Sequence, residues 1–189
     1  QAKPKTIEDI AAVNAIYRPG VIKMGALDAF TRRKNGQEDP TNDHHPMFEE
    51  ILEPTQGIMI YQEQFIQMFS MLGLSFGEGD ILRKTAECND YLEEHLYSDP
   101  NKLILSMKET KKVADKLIEN AGYLFNKSHA ISYSILAYWT SYFKAKHPAE
   151  FIEVLCNHSA DDHDEIALCL SMARDLLNNP TVSLGNINN

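Results

Sequence analysis

The chain has three cysteines, Cys88, Cys156 and Cys169, and they stand in no metal-ligand spacing. An odd, unpatterned set argues against a disulfide framework. They read as reduced thiols of a cytoplasmic protein, with Cys156 and Cys169 as core residues. No apolar run reaches membrane-spanning length and the N-terminus has no signal-peptide pattern. There is no internal repeat, no low-complexity tract and no glycine-rich phosphate loop of the Walker type. A stand-alone helical hydrolase would need a nucleophile patterned with a base, and none is visible. Asp161, Asp162, Asp164 and Glu165 around His163 resemble a metal cluster, but consecutive helical positions point in different directions. That run reads as charge at a helix start, and His158 and His163 close no zinc site.

What is present is a chain of 189 residues, 43% hydrophobic, which can bury a core as one domain or one domain with an appendage. Its net charge of −9 argues against a freestanding nucleic-acid binder. The cations are nevertheless concentrated. Residues 18–34 carry Arg18, Lys23, Arg32, Arg33 and Lys34 against Asp28, a balance of +4. Residues 121–148 carry Lys127, Lys144 and Lys146 with no acid, a balance of +3, which leaves −16 for the rest. An acidic body with two basic stretches fits a module that touches phosphate locally inside a larger assembly. Gln1 and the terminal run Gly185–Asn189 both read as cut from a longer polypeptide.

Helical periodicity dominates, so the expected class is mainly α with at most a few short strand segments. Thr6 caps a helix to about Tyr17, with Ile7, Ile10, Val13, Asn14 and Tyr17 on one face. Arg18-Pro19-Gly20 breaks it. Further helices are expected over Met24–Lys34, Met47–Leu52, Tyr61–Leu72 (after the extended run Ile58–Ile60), Ser75–Ala86 and Lys108–Asn120. Residues 37–46 read as a polar loop, and residues 88–101 are poorly patterned. Ala130–Lys146, free of acids and densely apolar, is expected to be the most buried helix. Helices over Ala149–Asn157 and from Asp161 or Asp162 to Asn178 follow, and an extended tail starts at Pro180.

Several strings carry chemistry in a fixed order: Ala15-Ile16-Tyr17-Arg18-Pro19-Gly20, Phe30 through Gly36, His45-Pro46, Ile51-Leu52-Glu53-Pro54-Thr55, Gly57 through Gln64, Gly77 through Arg83, Phe125-Asn126-Lys127-Ser128-His129-Ala130, and Lys144 through Phe151. The order and spelling resemble the fingers region of the C-family DNA polymerase III alpha subunit, over nearly the whole chain. The Tyr61–Gln64 and Phe125–Ala130 strings are the most specific. Asn186-Ile187-Asn188 is similar to the element that closes the region. The resemblance divides the chain into a fingers core with nucleotide- and template-facing motifs, 1–157, and a C-terminal helix and extended tail, 158–189.

The resemblance implies a multi-helix fingers domain that binds the incoming dNTP and the phosphates of template and primer. Arg18, Arg83, Lys84, Lys127, Ser128 and His129 are then phosphate-contacting candidates, and Tyr61, Gln62 and Gln64 face the nascent base pair. Lys127, Ser128 and His129 stand just before the Ala130 helix, where unpaired N–H groups and the helix dipole favour phosphate. A helix cap before a core helix is the alternative. Gln64 taken alone reads as a buried, satisfied amide. Arg32, Arg33 and Lys34 read as a solvated patch contacting the DNA backbone. Tyr138, Trp139, Tyr142 and Phe143 at helical spacing read as core packing rather than a base-stacking platform.

Where the family continues past Leu82-Arg83 with a basic run, this chain has Lys84-Thr85-Ala86-Glu87-Cys88-Asn89-Asp90, as in a divergent, phage-like member. Mg²⁺ is expected in the intact polymerase, on aspartates of a palm domain elsewhere in the polypeptide, so this stretch is expected to be inert by itself and to hold no metal. The palm and other replisome proteins are the expected partners, with no membrane. A second reading is a degenerate fingers domain that serves as a non-catalytic scaffold in a replisome. Cys88 and Asn89, where the family carries a pair of lysines, and the net acidity both lean that way.

Overall fold

The computed structural model describes residues 2–23, 25–40, 44–158 and 163–177. Among these the chain is helical: α1 Ile7–Ile16, α2 Pro19–Lys23, α3 Ala26–Lys34, α4 Glu49–Leu52, α5 Gln62–Leu72, α6 Phe76–Lys84, α7 Cys88–His95, α8 Met107–Ala121, α9 Lys127–Lys146, α10 Pro148–His158 and α11 His163–Leu177. The described residues contain no strand, only an isolated parallel bridge between Tyr61 and Phe125. The mainly α class expected from periodicity is what is found. Met24, Asp161, Asp162 and the tail from Pro180 lie outside the described residues. The chain divides into two compact units, 1–134 and 135–189, with the division inside α9.

Local chemistry explains most boundaries. Thr6, Ser75 and Ser106 each accept from the N–H three residues on, and Asp9, Glu78 and Glu109 bond back, so α1, α6 and α8 all start on reciprocal caps. Tyr17 ends α1, and Pro19 opens α2 where its missing N–H is harmless. Gln56 and Gly57 both have positive φ, 56° and 78°, which turns the chain out of the 3-10 turn Glu53–Thr55 and into the extended run before α5.

The first unit has two apolar clusters. In the larger, Phe65, Met68, Phe69 and Leu72 present one face of α5 to Leu52, Leu82, Leu92, Leu96 and Leu117 from α4, α6, α7, α8 and the residue after α7. The smaller packs Ala11, Ala12, Ala15 and Ile16 of α1 against Phe30, Ile60, Tyr61 and Ala130. The buried face of α1 is thus its alanine side. The expected face was displaced: Tyr17 is 68% exposed and Asn14 is exposed. Small side chains let α1 approach closely, which a count of large apolar residues overlooks. In the second unit α10 and α11 pack together around Ile152, Cys169 and Ala173.

Two expectations are corrected. Residues 88–102 contain α7 and a 3-10 turn, Pro100–Lys102. Leu92 and Leu96 are its fully buried residues, too few to register as a stripe, with Cys88, Tyr91 and Tyr97 partly buried beside them. The helix expected to be the most buried is largely exposed: Leu136 and Trp139 are 53% and 54% exposed, and its buried residues are Ala130 and Ser134. Its apolar side chains are distributed around the axis rather than along one stripe, so rich composition gave it no single face to bury.

Asp9 supplies a pH-dependent element. Burial alone would raise its carboxyl, but the ion pair with Lys34 (2.7 Å) and bonds from the Lys5 and Thr6 N–H groups outweigh it, and the net direction is down. A folded-state value below the unfolded one, about 4, stabilises above that pH and is lost as pH falls through the folded value. The urea midpoint is therefore expected to fall on acidification below about pH 4, with a shallower fall in Asp9→Asn. An identical acid profile for the two proteins would remove Asp9 from the account.

Candidate functional site

The isolated bridge brings the two most specific strings together. Phe125 N–H donates to the Ile60 carbonyl (2.8 Å), and Gln62 N–H donates to the Phe125 carbonyl (2.9 Å). The starts of α5 and α9 are thereby fixed side by side. Gln64 locks this arrangement. Its Oε1 accepts from the Ile60 and Tyr61 N–H groups at 2.9 and 3.0 Å, and its Nε2 donates to the Ile51 carbonyl at 3.1 Å and Thr55 Oγ1 at 2.7 Å. All four hydrogen-bonding positions of the amide are used, and the residue is 5% exposed. Gln64 is therefore scaffold and does not face a base pair, a correction that follows from the saturated amide. Tyr61 is also buried, with its hydroxyl pKa raised by burial and by the Glu63 and Glu8 charges. Gln62 is half-buried.

Lys127, Ser128 and His129 form the first turn of α9 rather than preceding it, and Asn126 is the cap. Asn126 Oδ1 accepts from His129 N–H (2.8 Å) and Ser128 Oγ (2.7 Å). Lys127 N–H, an expected phosphate donor, points at a carboxylate: Glu63 Oε2 and Oε1 accept from it at 2.9 and 3.1 Å. The Glu63 Oε1 atom also accepts from Asn126 Nδ2 at 3.1 Å. The Lys127 ammonium lies over the Tyr61 ring, 5.7 Å from its centroid. A recess of about 250 Å³ opens here, lined by Glu8, Tyr61, Glu63, Gln67, Lys127 and Ile131 among others.

Arg18 lies against the neighbouring ring. Its Nε donates to the Ala15 carbonyl (2.8 Å), one terminal nitrogen donates to the Tyr123 carbonyl, and its guanidinium carbon is 4.9 Å from the centroid of Phe125. No carboxylate pairs with it among the described residues. Burial lowers its pKa, and a guanidinium stays protonated all the same. Phe125 contacts His129 edge-on at 5.4 Å, and His129 in turn lies 4.5 Å from Tyr133. Arg18 and His129 thus share one ring, while Lys127 covers the ring bridged to it.

The remaining cationic candidates are held by acids of the chain. Arg83 and Lys84 both pair with Asp80. Arg32 and Arg33 grip the two oxygens of Glu38 at 2.8 and 2.9 Å, and Arg33, only 8% exposed, also donates to the Gln56 carbonyl. Lys34 holds Asp9. Of the expected solvated patch, Arg32 is exposed, with its side chain 51% accessible, whereas Arg33 and Lys34 form a structural clamp that fastens α3 to the loop after it, to the turn before α5 and to the cap of α1.

Sequence reasoning passed over Glu63, Asn126 and Phe125. A signal for Glu63 was there, since it is the only charged residue between Glu53 and Glu78. Among the described residues no three His, Cys, Asp or Glu side chains come together to hold a metal, so the Mg²⁺ implied by the resemblance has no fitting ligand set there. No helix of the described residues is long and apolar enough to cross a membrane.

Residues 1–110 match the model of the bacterial DNA polymerase III alpha subunit finger domain. The chain is 35% identical over 167 residues to the DNA polymerase III subunit alpha of Aquifex aeolicus, covering 85% of this chain and 14% of that protein. It is 36% identical over 182 residues to the subunit of Saccharopolyspora erythraea (91% and 15%) and 37% identical over 184 residues to that of Thermus aquaticus (92% and 15%). The chain spans about one seventh of the length of these relatives.

Proposed function

Because the chain belongs to the family of bacterial DNA polymerase III alpha subunit finger domains, we propose that it acts as the fingers of a replicative DNA polymerase, binding the incoming nucleotide and the phosphates of template and primer. The observation that carries the reading is Arg18. A guanidinium held by two carbonyls and an aromatic ring, with no carboxylate partner among the described residues, is a preorganised cation awaiting an anion. His129 on the same ring, with Lys127 and Ser128 beside it, extends that face toward a polyphosphate. Transfer of a nucleotidyl group requires such positioning and charge neutralisation. Gln62, half-buried at the first position of α5, is the residue this reading assigns to the base pair. Mg²⁺ and its carboxylates come from a palm domain elsewhere in the polypeptide.

A scaffold reading has one observation in its favour: Arg32, Arg33, Lys34, Arg83 and Lys84 are all paired internally. One experiment separates the two readings. In primer extension by the full-length polymerase, Arg18→Ala is expected to lower kcat/KM for nucleotide by about 10- to 100-fold, the loss of one charge-assisted contact. Arg18→Lys is expected to rescue little, since a single ammonium nitrogen cannot replace the two separate guanidinium nitrogens that reach the Ala15 and Tyr123 carbonyls. Unchanged kcat and KM in both variants would favour the scaffold.

A further inference from the structure

The hydrogen bonds made by the Lys127 N–H and by the Asn126 side chain lead back to one side chain that the nucleotide-binding reading leaves unused. Glu63 accepts from the Lys127 N–H with both oxygens, and its Oε1 also accepts from Asn126 Nδ2. That second contact fixes which way the Asn126 amide faces. Its Oδ1 is thereby turned to the Ser128 hydroxyl and the His129 N–H. The carboxylate also sits at the positive end of α9, a helix of 20 residues, where a negative charge is favoured. Glu63 itself is carried on the first turn of α5, whose start Gln64 and the Tyr61–Phe125 bridge hold rigid.

We propose that Glu63 is the positioning residue of the nucleotide-binding face: it sets the direction in which Lys127, Ser128 and His129 leave α9. It also fills the N-terminal position of α9 with a built-in anion, so that phosphate is met by side chains and by Arg18 rather than by the Lys127 backbone N–H. The proposal rests on the functional reading above for its consequence in catalysis. The arrangement of the helix start stands independently of that reading.

The two are separated by measuring both in the full-length polymerase. Glu63→Ala is expected to abolish the slow amide exchange of Lys127 and His129. It is also expected to lower nucleotide kcat/KM by about 100-fold, the scale of an ångström of misplacement. Glu63→Gln retains Oε1 as an acceptor but sets an NH₂ against the Lys127 N–H, and should fall between Glu63→Ala and the parent in both measurements. If Glu63 acts through Lys127, the double variant Glu63→Ala/Lys127→Ala is expected to be no more than about threefold worse than the poorer single variant. Full additivity, or parental exchange rates in Glu63→Ala, would overturn the positioning role. Lost protection together with unchanged kinetics in Glu63→Ala, Lys127→Ala and Arg18→Ala would leave the helix-start role standing and sink the nucleotide-binding reading instead.

Discussion

Gln64→Ala is expected to lower the unfolding free energy of the chain by about 4 kcal/mol, because truncation strands four hydrogen-bonding groups at once. The Ile60 and Tyr61 N–H groups lose their acceptor, and the Ile51 carbonyl and Thr55 hydroxyl lose a donor. The single Thr55 O–H still has the Ile58 carbonyl at 2.7 Å, with the Leu52 carbonyl also in reach at 3.1 Å, so its loss is the mildest. Gln64→Glu tests the two halves separately. It keeps an acceptor for the two N–H groups but cannot donate, and its charge would be buried against the Ile51 carbonyl, so it should be no better than alanine near neutral pH. Urea unfolding with an unchanged slope is the measurement. A loss under about 1 kcal/mol would mean that water replaces the amide and that Gln64 is not the lock of the Tyr61–Phe125 bridge. Because the same amide fixes residues 60 and 61, faster exchange of the Phe125 N–H should accompany the loss.

Legibility in the sequence followed the range of the forces involved. Caps act within a turn or two, so Thr6 and Ser75 marked two helix starts, whereas the cap at Ser106 was passed over and α8 was expected to begin near Lys108. Charge pairing acts across the fold, and there local reading failed. Arg32, Arg33 and Lys34 look like a free patch because Glu38 lies beyond a turn and Asp9 on another helix. The exposure of α9 was illegible for a related reason: composition reports how apolar a helix is, not what covers it. At the candidate site, the two specific strings were legible only through family resemblance. That they meet through the Tyr61–Phe125 bridge, and that Glu63 reaches the Lys127 N–H, depends on contacts more than sixty residues apart.

Gly73→Ala is expected to cost about 3–5 kcal/mol, although it adds a single methyl group. Gly73 closes α5: the Leu74 N–H returns to the Phe69 carbonyl at 3.1 Å and the Gly73 N–H to the Ser70 carbonyl at 3.2 Å, a Schellman-type ending. The residue takes φ +123°, a conformation L side chains rarely adopt, so strain arises before any contact is counted. A Cβ there would also lie 2.7 Å from the Lys102 carbonyl oxygen and 3.3 Å from Leu96 Cδ1. The carbonyl belongs to backbone in the 3-10 turn Pro100–Lys102, so relief requires the turn to move rather than a side chain to rotate. The two penalties act on the same atom and are only partly additive. Leu96 belongs to the larger apolar cluster, so displacement should loosen α7 against α5 and leave the smaller cluster, which includes Tyr61, in place. Urea unfolding reads the total loss, and amide exchange locates it: protection should fall around α7 while the Phe125 N–H keeps its parental rate. A variant as stable as the parent would show that the turn at Lys102 yields freely, and that the close approach at Gly73 is not what fixes this end of α5.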